Sequence, residues 1–284
     1  VSPQQIGFLF VILAGIGFGF LGIFGRLAFQ SGLSVGELLT FRFSLAALFM
    51  WIFFVFFSRQ LIRISLKQIL ISIGLGAFGY AVFSTLYFRS IEGISVPLAA
   101  LLLFTFPIFV NIGAHIFLSE KMNKKQIASL MLACLGLSIL VWGPLVINSI
   151  RSVLMALAAA FTYAIYVLVS GKLQQEVKPL TSSLYVISSA AIALFLFHRP
   201  ELSRLTELNS LQWSIIIGIA IVSTIAPLTL FLAGLQKLPS SKASIVVMIE
   251  PVVAAVAAWS LLGEKLNPTQ MFGSILILIA IALA

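Results

Sequence analysis

One acidic side chain, Glu250, lies deep inside an apolar run, within S-I-V-V-M-I-E-P-V-V-A-A-V-A-A-W, and Pro251 follows it directly. An ionisable group at such a position costs several kcal/mol in a bilayer unless it faces a wet cavity or a partner. The chemistry open to it is narrow: it can hold a cation, or it can exchange a proton. Pro251 has no N–H, which frees a carbonyl one turn earlier and favours a kink. On an uninterrupted helix Ala243, Val246, Glu250, Ala254 and Ala257 share one face of mostly small residues, placing the carboxylate in a seam between helices. The competing reading is structural: Glu250 bonds a neighbouring helix or caps the freed backbone.

Aromatic rings with polar handles are the second resource. Tyr80, Tyr163 and Tyr166 fall deep in apolar runs and are candidates to line a cavity, whereas Tyr87, Trp51, Trp142 and Trp213 lie near run ends, where interfacial belts form. Tyr185 falls in the seventh run. Asn111 and His115, four residues apart, form a polar stripe suited to interhelical hydrogen bonds. Arg42 is expected to snorkel to the interface or to pair with Glu37. Enzymatic constellations are missing: the chain has no Asp, His115 and His198 belong to no HExxH, and the single Cys134 forms no CxxC. No metal, no cofactor and no enzymatic activity are expected.

The elements that must position these groups follow from composition. Hydrophobic residues make up 61% of the 284 and charged ones 9%, against about a quarter charged in soluble domains. With about 20 apolar residues per crossing, an all-α polytopic membrane protein of ten transmembrane helices is expected. The spans are 6–29, 38–57, 68–88, 94–118, 127–147, 152–171, 181–197, 212–235, 243–262 and 268–284. The first run is too long for a cleaved signal peptide and is read as a true span.

Landmarks recur. Pro107 and Pro251, Glu120-Lys121 and Glu264-Lys265, Asn123 and Asn267, and Gln126 and Gln270 are each separated by 144 residues. The chain is therefore a tandem duplication, with repeats at 1–147 and 148–284. An odd number of spans per repeat makes the second an inverted copy of the first. Glu250 matches Phe106, so the carboxylate is present in one repeat only.

Lys and Arg sort by loop. Arg59, Arg63, Lys67, Lys121, Lys124, Lys125, Lys172, Lys178, Lys237 and Lys242 fall on one side; Arg89, Arg151, Arg199, Arg204 and Lys265 fall on the other, with Arg26 near it. The richer side is expected to be cytoplasmic, with both termini. The net charge of +9 is spread through loops with no basic stripe interleaved with aromatics, so nucleic acid is not an expected partner; lipid and a small molecule are.

Gly17–Gly22 and Gly74–Gly79 match GxGxxG, but neither follows a strand, so no dinucleotide site is implied. Gly15, Gly19 and Gly22 share a face that admits a second helix, or soften the first span for bending. Gly19, Gly22, Pro107 and Pro251 are the expected hinge or break positions.

Taken together, Glu250-Pro251 with Leu262-Gly-Glu-Lys265 and Gln270, Phe106-Pro107 with Leu118-Ser-Glu-Lys121 and Gln126, Phe41-Arg42 with Ala46-Ala47, and Ala160-Phe-Thr-Tyr-Ala-Ile-Tyr166 resemble the EamA-type members of the drug/metabolite transporter superfamily. The resemblance covers nearly the whole chain. It implies an inner-membrane carrier, often an exporter of amino acids or other small metabolites, with spans one to four and six to nine around a central cavity and the fifth and tenth outside it. The chain departs from internal symmetry at Phe106 against Glu250 and at Ser119 against Gly263. Inverted repeats lead to alternating access about a midplane site, with Glu250, Tyr80, Tyr163, Tyr166, Phe106 and Asn111 as binding or coupling candidates and proton coupling as an option. A passive channel, the alternative, needs a continuous polar pore, and few polar residues recur at helical spacing on any span.

Overall fold

The computed structural model describes residues 2–142, 146–173 and 175–284. In chain order its principal helices are α1 (Pro3–Gln30), α2 (Val35–Phe57), α3 (Leu66–Ser90), α4 (Val96–Phe117), α5 (Lys124–Leu140), α6 (Ile150–Leu173), α7 (Pro179–His198), α8 (Ser210–Leu235), α9 (Ser240–Leu262) and α10 (Pro268–Leu283). Eight are long and apolar enough to cross a membrane; α5 and α10, of 17 and 16 residues, are shorter. The fifth span was expected to reach 147, but its helix stops at Leu140, and 143–145 lie outside the described residues. No strand forms among the described residues; a single antiparallel bridge joins Ile94 to Ile147.

Helix starts are written locally. Ser65 with Gln68, Asn209 with Gln212, Asn123 with Gln126 and Asn267 with Gln270 each form reciprocal capping boxes. Such caps contribute about 0.5–2 kcal/mol each by satisfying N–H groups that have no intrahelical partner. The first two boxes stand 144 residues apart, as do the last two. Helix α4 ends with Ser119 at φ 57° and α9 with Gly263 at φ 69°, again 144 apart. In both, the next amide turns back: Glu120 N–H donates to the Ala114 carbonyl, and Glu264 N–H to that of Ala258.

Several helices are broken at matching levels. α4 is interrupted at Phe104–Thr105 and α9 at Val247–Met248. The cause is proline: Pro107 and Pro251 cannot donate to Leu103 and Val247, and tighter bonds replace the missing ones, such as Glu250 N–H to the Val247 carbonyl at 3.0 Å. The continuous face from Ala243 to Ala257 expected from the sequence therefore does not exist. Helices α3 and α8 instead carry π turns, at Leu75–Tyr80 and Ile221–Ile225. Such turns are frequent at functional sites.

Packing joins the halves of the chain. α1 packs on α8, α2 on α7, α3 on α6, α4 on α9 and α5 on α10, with α1 also on α9 and α4 on α6. Exchanging each helix for the one five places along maps this set of pairs onto itself. Close approach relies on glycine: a Cβ on Gly136 of α5 would stand 2.8 Å from the Gly273 carbonyl of α10, and one on Gly273 would stand 2.6 Å from that of Gly136. The first helix uses the same device on two neighbours. Gly15 and Gly19 face α9 and Gly17 faces α8, whereas a Cβ on Gly22 would meet nothing within 4 Å. Gly22 is thus not part of the packed face, and the interruption in α1 falls at Phe20, directly after Gly19.

Candidate functional site

The breaks and π turns bring charge and aromatic rings to one place. Pro227 cannot donate to the carbonyl of Ser223, and that carbonyl, in the π turn of α8, accepts instead from Arg42 Nη2 on α2 at 3.0 Å. Arg42 Nε donates to Thr224 Oγ1 at 2.6 Å, and Thr224 in turn donates to the Ile219 carbonyl. Arg42 is 1% exposed. The expectation that it snorkels or pairs with Glu37 is wrong: Glu37 accepts from Arg204 Nε at 3.1 Å, and Arg42 turns inward because the π turn supplies a desolvated guanidinium with a carbonyl and a hydroxyl.

Glu250 stands just past the break in α9, half-buried, with its backbone against α1: a Cβ on Gly19 would come within 2.9 Å of the Glu250 carbonyl. The carboxylate and the Tyr80 ring lie within electrostatic reach of Arg42, and the field of Glu250 extends to Tyr80, Tyr87 and Tyr163. The ion pairs among the described residues join Arg26 to Glu264 and Arg204 to Glu37 and Glu207, so Arg42 and Glu250 are not in direct contact.

The rings expected to line a cavity form one cluster. Tyr80 packs edge-on to Phe43 at 5.3 Å and to Tyr166 at 5.5 Å between centroids. Tyr163 lies parallel to Tyr166 at 5.9 Å and edge-on to Phe106 at 4.7 Å. The Tyr166 hydroxyl is buried, with Ser170 as its neighbour on α6. Asn111, on the helix that carries Phe106, donates its amide to the Pro107 carbonyl at 2.7 Å and to Ser244 Oγ at 3.4 Å, which links α4 to α9 as its stripe suggested. His115, the other member of that stripe, contacts the Glu120 carbonyl. The Trp51 indole donates to Ser188 Oγ on α7 at 3.0 Å.

Sequence reasoning missed Arg42, Ser223 and Thr224. Signals existed for the last two, because Thr224 stands 144 residues after Tyr80 and Pro227 marks the Ser223 carbonyl left without a donor. Among the described residues no group of His, Cys and Glu could hold a metal ion.

The EamA-like transporter family matches residues 5–142 and 150–284. The chain belongs to that family. It is accordingly a multi-pass membrane transporter of the drug/metabolite transporter superfamily. Among EamA-type relatives, an uncharacterized transporter of Archaeoglobus fulgidus is 26% identical over 75% of each chain. The uncharacterized transporter YcbK of Bacillus subtilis is 24% identical over 96% of this chain and 90% of its own. The threonine/homoserine exporter RhtA of Escherichia coli K12 is 28% identical over 70% of this chain and 64% of its own. A crystal structure superposes with a TM-score of 0.80 over 99% of this chain and 96% of that one at 16% identity, a likeness of fold.

Proposed function

We propose that this EamA-type transporter is an inner-membrane exporter of small zwitterionic metabolites of the amino-acid class, working by alternating access about a midplane site. The observation that carries the reading is the burial of Arg42 within electrostatic reach of Glu250, a half-buried carboxylate with which it forms no ion pair, beside the cluster of Tyr80, Tyr163 and Tyr166. A fixed cation and a carboxylate suit the two charges of an amino acid: Arg42 faces the substrate carboxylate and Glu250 its ammonium group. The rings exclude water and contact the side chain. The threonine and homoserine in the name of one relative are of this class.

Ten crossings in two inverted repeats are the architecture of this proposal, with α5 and α10 as the remaining two spans. The self-mapping helix pairs and the paired caps, breaks and π turns support it. Lys and Arg asymmetry supports cytoplasmic termini. Glu250 can serve proton and ammonium in turn, so that a proton entering displaces substrate going out. Counterflow in liposomes tests the reading: preloaded threonine should drive uptake of trace labelled threonine, saturably, and a linear, unsaturable flux would indicate a channel.

A further inference from the structure

The two halves end their broken helices with the same cap, yet use the carboxylate that follows differently. After α4, Glu120 reaches the start of α9: Oε1 accepts from the Ser240 N–H at 3.0 Å, and Oε2 accepts from the Ser241 N–H at 3.0 Å and from the Ser241 hydroxyl. Those N–H groups are the first of the helix and have no intrahelical partner, and the helix dipole favours an anion there. Gly171 on α6 makes the room, since a Cβ on it would stand 2.2 Å from Ser240 Oγ. After α9, the matching carboxylate of Glu264 pairs with Arg26 of α1, and both are exposed. The positions that match Ser240 and Ser241 are Val96 and Pro97. Pro97 has neither an N–H nor a hydroxyl, so the start of α4 lacks two of the three donors that Glu120 uses.

We infer that Glu120 with Ser240 and Ser241 forms a one-sided latch, closing the end of the bundle beside Lys121 and Lys242, and that the opposite end has no latch of equal strength. The inference rests on the alternating-access reading and specifies how its two states are weighted. Opening at the Lys121 end separates the end of α4 from the start of α9 and returns the carboxylate and the helix N–H groups to water. Closing at the Glu264 end gains no equivalent set of bonds. The resting population is thereby biased toward the state closed at the Lys121 end.

Ser244, one turn into α9 and fully buried, reports on the latch. Ser244→Cys is made in a Cys134→Ala background, and its rate of reaction with an impermeant maleimide is measured from the Lys121 end. Adding Glu120→Gln, or separately Ser241→Ala, should raise that rate about tenfold or more. Adding Glu264→Gln should leave it unchanged. Equal rates in all these proteins, each still melting cooperatively, would overturn the latch, and acceleration by Glu264→Gln would overturn its one-sidedness. Counterflow by the unsubstituted protein is recorded alongside. Its absence would overturn the carrier reading, whereas counterflow with flat labelling rates would overturn the latch alone.

Discussion

Tyr163 meets Phe106 edge-on with centroids 4.7 Å apart, at the place that Gly19 and Glu250, each 144 residues away in the repeat register, occupy in the other half of the molecule. The same helix crossing is thus built twice with different chemistry. Where α6 meets α4 it presents rings; where α1 meets α9 it presents a bare backbone and a carboxylate. The site is asymmetric because these two positions differ, while the crossing beneath them is shared.

The aromatic half should be sensitive to ring removal. Each such ring pair contributes about 0.5–1.5 kcal/mol beyond its buried area, so Tyr163→Ala and Tyr80→Ala should each raise the KM for transport several-fold or more. Tyr163→Phe keeps the packing and should stay near the unsubstituted value. Uptake kinetics in liposomes at matched protein content check this, and equal losses for Phe and Ala would assign the effect to the hydroxyl.

Glycine in α1 should be irreplaceable at one position and free at another. A Cβ on Gly19 would stand 2.7 Å from Val253 Cβ and 2.9 Å from a backbone oxygen, neither of which can yield easily. Gly19→Ala should therefore destabilise the fold by about 1–3 kcal/mol, as overpacking does. Gly22→Ala, with open space around it, should be neutral. Thermal melts in detergent separate the two.

Much of this was legible in the chain itself. The landmarks 144 residues apart led to the proposed repeat, and depth in the apolar runs selected Tyr80, Tyr163 and Tyr166, which the structure gathers into one cluster. Arg42 was not legible, because its position near a span end fits snorkelling and inward burial equally, and only the π turn of α8 decides between them. Nor was the part played by Gly22, which shares a helical face with Gly15 and Gly19 until the interruption at Phe20 rotates the chain.

Arg42 should tolerate no substitution well, since its two hydrogen bonds go to groups on a different helix. Arg42 is also the cation proposed to meet the substrate carboxylate, and a hydrogen bond to a charged group contributes about 1.5–3 kcal/mol, so Arg42→Gln should weaken amino-acid binding about tenfold or more. Arg42→Lys keeps the charge but not the fork and should fall between. Competition by decarboxylated amines sharpens the test: they should compete poorly against the unsubstituted protein, and their relative standing should improve in Arg42→Gln.

The proposed topology places the loops at Lys124 and Glu264 on opposite faces. Cysteines introduced singly at these positions, with Cys134 replaced, should react with an impermeant reagent from opposite sides of sealed vesicles. Reaction from the same side would contradict the inverted repeat.

The most direct test of the central claim, that Glu250 serves both substrate and proton, is accumulation driven by a pH gradient in liposomes carrying Glu250→Gln. The glutamine keeps the shape and much of the hydrogen bonding but carries no charge and cannot titrate. The account predicts that gradient-driven accumulation of amino acid is lost and that binding weakens about tenfold or more, in a protein that still melts as the unsubstituted one does. Full gradient-driven accumulation with unchanged affinity would contradict it and leave Glu250 a structural residue of the α1 and α9 crossing.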